Sequence, residues 1–180
     1  CWAAFLFMWT YSNGAIATQC FGWDGINTAD TEFQNAGNWV GVCFAIQAVG
    51  SMLWALIMPI LEKYFHNKGA YAISLVVGAL GFISTLFVTN QFVLLVSYAF
   101  IGAAWAAMLA VPFTILTNSL KGDNMGYYLG LFNCTICLPQ IVAALIGGSI
   151  LKYLCAGSQV GMLVAAGVLL VLGAISVVLI

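Results

Sequence analysis

The 180-residue chain is 64% hydrophobic and only 5% charged, with four Lys, no Arg, five Asp or Glu and a formal net charge of -1. Soluble domains carry about a quarter charged residues, so the solvent of this chain is a bilayer, and no basic cluster exists that would neutralise the phosphates of a nucleic acid. A membrane span takes roughly 20 apolar residues, so the length divides into about six spans with little left for a soluble domain.

The first apolar run, CWAAFLFMWTYSNGAIATQCF, covers 1-21. It lacks the positively charged start and small-residue cleavage site of a signal peptide and reads as a span. The joint GWDGINTADTEFQNAG follows, with Asp24, Asp30 and Glu32 and no cation. Spans are then expected near 38-61 and 70-89, separated by EKYFHNKG, which holds Lys63, Lys68 and the single His, His66. After the tight connection Asn90-Gln91 comes a span near 92-117, then the joint SLKGDNMG with Lys121. The last two spans are expected near 127-152, ending on Lys152, and 160-180. Lys63, Lys68 and Lys121 share one face, which the positive-inside rule makes cytoplasmic; the acidic joint is then outside and both chain ends inside. Both ends lie within apolar runs, and the expectation is a piece of a longer protein. Six spans permit a three-plus-three inverted repeat.

Catalytic chemistry finds little support. The cysteines, at 1, 20, 43, 134, 137 and 155, include one close pair, Cys134-Thr-Ile-Cys137. It lacks both the exposed helix start of a redox pair and the further ligands of a zinc site, so the cysteines read as small packing residues. No buried Asp pair, Ser-His arrangement or HExxH is present, and the carboxylates lie in joints or at span ends. Glu62 and His66 read as a solvated joint. The formal sequon Asn133-Cys134-Thr135 falls inside a span, out of reach of glycosylation. No enzyme activity, metal or cofactor is expected.

What remains is uncharged polarity inside the spans. Asn133 and Gln140 are seven residues apart, almost two helical turns, so both point the same way about 10 Å apart. Pro139 donates no backbone hydrogen bond, frees the Thr135 carbonyl and favours a bend. Tyr11 and Asn13 lie mid-span with Thr10 and Ser12; Gln47, Ser51 and Trp54 share a helical face; Trp105 precedes Pro112 by seven residues. Amides that both donate and accept suit hydroxyl-rich solutes, and aromatic planes suit the apolar faces of sugars. The same groups also serve as interhelical glue, at about 0.6 to 2 kcal/mol each. The spacings Gly126-x3-Gly130, Gly102-x3-Ala106-x3-Ala110 and Ala144-x3-Gly148 read as helix-packing faces.

The stretch GYYLGLFNCTICLPQIVAAL resembles the region of the penultimate helix in the glycoside and sucrose cation symporters of the major facilitator superfamily, with Gly126, Gly130, Asn133, Pro139 and Gln140 matching in order and spacing. ANWVGVCFAIQAVGSML at 36-52 is similar to the eighth helix of bacterial members, and PILEKYFHNKG at 59-69 looks like the cytoplasmic loop that follows, without its usual Asp and Arg. The resemblance implies an all-α membrane fold of six transmembrane helices, a three-plus-three inverted repeat that forms the carboxyl-terminal half of a twelve-helix transporter. It implies multi-pass insertion in a bacterial inner (plasma) membrane and alternating access against an amino-terminal six-helix half. The implied substrate is a disaccharide or related glycoside moved with a proton. Tyr11, Asn13, Gln47, Trp105, Asn133 and Gln140 would bind it, and Pro112, Gly126, Gly130 and Pro139 would serve the conformational change. Proton coupling needs an intramembrane ionisable group, which these spans lack, so the coupling carboxylate is expected in the other half. The alternatives are a facilitator or symporter of another small neutral solute, and a non-transporting membrane receptor of the same fold.

Overall fold

The computed structural model describes residues 1-120 and 125-179. Lys121 and its neighbours through Asn124, and Ile180, lie outside the described residues. The described secondary structure is helical throughout: α1 Trp2–Cys20, α2 Thr31–Ser84, α3 Gln91–Ser119, α4 Met125–Tyr153 and α5 Gln159–Leu179. Four of these, α2 to α5, are long and apolar enough to cross a membrane, and the chain is a helical membrane protein. Large side chains such as Leu56, Leu80, Leu145 and Leu154 are exposed on the outside of the bundle, as lipid contact requires.

Two expectations change. The first expected span is a helix, but its polar run Thr10–Asn13 keeps it outside the set that composition alone marks as membrane-crossing. The second and third expected spans belong to one helical run, α2, which starts at Thr31 and is broken only at His66, where φ is 58° and ψ is 170°. The expected joint EKYFHNKG is therefore a one-residue reversal. Its residues before Gly69 include good helix formers and neither Gly nor Pro, so both arms, 31-65 and 67-84, stay helical up to the break. That backbone region suits glycine almost exclusively and costs other residues about 1 to 3 kcal/mol. Replacing His66 with glycine is expected to stabilise the protein by about 1 kcal/mol, read as a raised thermal midpoint in detergent; an unchanged or lowered midpoint would show that the reversal is unstrained.

The joint 21-30 is ordered by its own polar groups. Trp23, buried and tilted over Phe33 at 4.7 Å, donates its indole N–H to the Asn27 carbonyl at 2.9 Å. Asp24 accepts from the Ile26 N–H, and the Asn27 amide donates to Asp30. At the start of α3 the Asn90 side chain caps the helix, accepting from the N–H groups of Phe92 and Val93.

Contacts between side chains set the direction of every segment. The two arms of α2 fold back on each other, with the Trp54 N–H donating to Ser74 at 2.9 Å. The first arm runs parallel to α3: Trp39 donates to the Gln91 carbonyl, and Met58 meets Val111. The second arm runs antiparallel to α3, Gly81 facing Ile101 and Gly78 facing Ala104. Helix α1 is antiparallel to α3, with Phe5 on Trp105 and Ser12 on Tyr98. It is also antiparallel to α5, with Gly14 against Gln159 and Cys1 against Gly173, and parallel to α4, with Ala3 across a crevice from Pro139 and Tyr11 against Gly147. Counted by arms, six segments alternate in direction. Tyr64, Phe65 and Tyr127 are exposed at one end of the bundle and Phe87, Phe92 and Tyr153 at the other, the arrangement of two interfacial aromatic belts.

Candidate functional site

Helix α1 packs on α2, α4 and α5. Its inner face, with Phe5, Met8 and Ile16, joins Phe82, Tyr98, Leu163 and Leu170 in the core. Among these apolar groups the Tyr98 hydroxyl donates to Ser12 Oγ at 2.8 Å, so part of α1's polarity holds the bundle together.

Gln19 likewise donates to the Leu86 carbonyl at 2.9 Å, and Thr10 and Thr18 bond back to their own helix. Trp105 of α3 meets Trp2, Phe5 and Trp9 at ring centroid distances of 5.9, 5.0 and 5.7 Å. Trp9, 44% exposed, carries this aromatic cluster to the surface. One turn further along, the Asn13 side chain rests against Gly37 of α2, and its Oδ1 is buried without a hydrogen-bond partner. Gln47 is buried, and its backbone abuts Gly102, one turn before Trp105. The structure thus brings Trp105 to α1, and places Gln47 beside the turn of α3 that precedes it.

Tyr11 is separated from this group. Two residues apart on a helix is about 200°, and Tyr11 faces α4, where a methyl added at Gly147 would lie 3.1 Å from its hydroxyl oxygen. Tyr11 and Asn13 do not share one face.

On α4 the stripe is exposed at Asn133 and Cys137 and half-buried at Gln140. Among the described residues the helix makes one side-chain hydrogen bond, from Thr135 Oγ1 to the Phe132 carbonyl at 2.7 Å, and neither amide takes part in it. Helix α4 continues through Pro139, as α3 does through Pro112, so neither proline ends its helix. Pro139 instead borders an apolar crevice of about 430 Å³ with Ala3, Phe7 and Leu169.

Helical geometry relates the polar residues of the two helices to their contact. Helices α1 and α4 are parallel and touch through Phe7 and Tyr11 on one side and Gly147 on the other. At about 100° per residue, Leu6, Thr10 and Asn13 lie counter-clockwise of α1's contact line when viewed from the amino-terminal end. Gln140 and Asn133 lie seven and fourteen residues before Gly147, so by the same geometry they fall within about 40° of the line along which α4 meets α1.

Gly126 and Gly130 do not mark a helix crossing: no heavy atom lies within 4 Å of a Cβ built at either. Close approaches occur instead at Gly50, Gly78, Gly81 and Gly147, as well as at the expected Gly102. The only signal for these in the sequence is that they are small residues within apolar runs.

Among the described residues no charged side chain lies beside Asn13, Asn133 or Gln140 in the chain. Asp24, Asp30, Glu32, Glu62, Lys63 and Lys152 lie in joints or at helix ends, His66 is the break in α2, and Lys68 follows it by two residues. In the joint after α4, burial pushes the Cys155 thiol up, so it is no activated nucleophile. Among the described residues no group of three or more His, Cys, Asp or Glu is placed to hold a metal. No protein-family model, curated protein or solved structure matches the chain.

Proposed function

We propose that the chain forms one six-helix half of a secondary transporter of the major facilitator type, and that its amides line a path for a disaccharide or related glycoside, driven by protons. The observation that carries this reading is a set of amides without side-chain partners among the described residues: Asn13 Oδ1, buried against Gly37 one turn from the Trp9–Trp105 cluster, and Asn133 and Gln140 on α4. Groups of this kind are costly against hydrocarbon and are retained where protein or a water-filled cavity meets them. Amides and indoles are the complement of a neutral polyol with apolar ring faces.

The pairing of the segments supports an inverted repeat. Helix α4 runs parallel on α1 as the first arm of α2 runs parallel on α3, and α5 runs antiparallel on α1 as the second arm runs antiparallel on α3. Exchanging the first three segments with the last three preserves these pairs, and the opposite directions of α1 and α3 make the repeat inverted. All six segments then cross the membrane, with α1 shielded by its neighbours. The bacterial inner membrane is the proposed location, and an amino-terminal half supplies the second wall and the coupling carboxylate.

The test uses the complete protein in sealed vesicles loaded with a pH dye, to which maltose, sucrose and a non-sugar control are added separately. Acidification on adding only a disaccharide is the expected result. No proton movement with any sugar, in vesicles shown to be tight, would break the coupling claim; transport that ignores the pH gradient would make the protein a facilitator.

A further inference from the structure

At the end that carries His66, a crevice of about 450 Å³ lies between Lys68 and Tyr71 of the second arm of α2, Pro112, Ile115 and Ser119 of α3, and Phe132 of α4. Crevices of about 430 and 280 Å³ also open between the helices, and neither has a cation in its lining.

Its chemistry is divided along its length. The stretch from Pro112 to Ser119 covers almost two turns, about 10 Å of helix, and its wall is apolar apart from the last residue. Lys68 is exposed and supplies a cation at the rim, and no acidic side chain is among the described residues that line the crevice. Tyr64, Phe65, Tyr127 and Tyr128 are exposed at this same end, the position of aromatic side chains at headgroup level. A soluble anion would find the flexible Lys68 ammonium and apolar walls. An amphiphile with an anionic head finds both of its parts matched, and cytoplasmic-side cations beside membrane helices are sites for acidic headgroups.

We propose that this crevice holds one acyl chain of an anionic phospholipid, with the headgroup phosphate on Lys68. The site is independent of the transported solute and requires only that the chain be a membrane protein.

The experiment is native mass spectrometry of the complete, delipidated protein titrated with phosphatidylglycerol or phosphatidylcholine of identical chains. Phosphatidylglycerol is expected to be retained about fivefold more tightly, the difference one near-surface lysine supplies. Lys68→Glu is expected to abolish that preference, and Ile115→Trp, which fills the crevice, to remove retention of both lipids. Glycerol phosphate, a headgroup without a chain, is expected not to compete. Equal retention of the two lipids, a preference that survives K68E, retention that survives I115W, or displacement by glycerol phosphate would each overturn the proposal. Because Lys68 is exposed, K68E tests the headgroup contact even where I115W fails to fold.

Discussion

Replacing Gly102 with valine is expected to destabilise the protein by about 3 kcal/mol and to leave little monodisperse material in detergent. A Cβ at Gly102 would run into the Gln47 carbonyl oxygen and lie 2.6 Å from the Ser51 nitrogen and 3.0 Å from the Gly50 carbonyl carbon. These are backbone atoms of the facing helix and cannot rotate away. Helix α3 would have to leave the first arm of α2, and Gly50 would lose its seat on the Ala99 backbone. In a bilayer, helix association depends on such close van der Waals approach. Gly130→Val is the control: a Cβ there meets nothing within 4 Å, and valine is a slightly better helix former than glycine. Elution profile and thermal midpoint measure both. A G102V protein with an unchanged midpoint would mean that α2 and α3 do not cross at this glycine.

Gln140→Leu in the complete protein is expected to weaken apparent sugar affinity roughly 5- to 150-fold, the loss of one hydrogen bond of about 1 to 3 kcal/mol in a desolvated site. The midpoint should hold, since α4 buries only Ala143 and Gly147 fully and Gln140 bonds to no other described residue. A thiol measurement separates a role in the path from a role in lipid-facing packing. Cys137 lies on the stripe between Asn133 and Gln140 and is exposed, whereas Cys43 is fully buried. Thiolates form only where water reaches, so a membrane-impermeant maleimide should label Cys137, with sugar protecting it, and should leave Cys43 untouched. Unlabelled Cys137 together with undiminished transport by Q140L would put the stripe against lipid or protein and remove the sugar-path reading.

Polarity on α1 shows where reading a sequence reaches its limit. Thr10, Tyr11, Ser12 and Asn13 form one polar cluster along the chain, and they have different roles in the fold. Ser12 bonds to Tyr98, Tyr11 lies against Gly147 of α4, and Asn13 rests on Gly37 with a free oxygen. Each step of about 100° turns the next side chain toward a different neighbour, and the neighbours come from distant parts of the chain. Trp105 reached the aromatic cluster in the same way, its partners Trp2, Phe5 and Trp9 lying about a hundred residues earlier.

By itself, the sequence determined the solvent, the helical class and most helix ends. Bulk hydropathy specifies a bilayer, and a bilayer leaves the backbone no alternative to helices or closed barrels. Local chemistry marks the ends, as at Asn90, whose side chain caps α3. Only the tertiary structure decided which face of each helix is covered. It narrowed the joint between two expected spans to the single reversed residue His66, and it chose Gly147 over Gly126 and Gly130 as a contact. The physical reason is that lipid is as apolar as a neighbouring helix. In water a buried face announces itself by hydrophobic contrast; in hydrocarbon that contrast vanishes, and the choice of partner rests on shape and on a few polar groups.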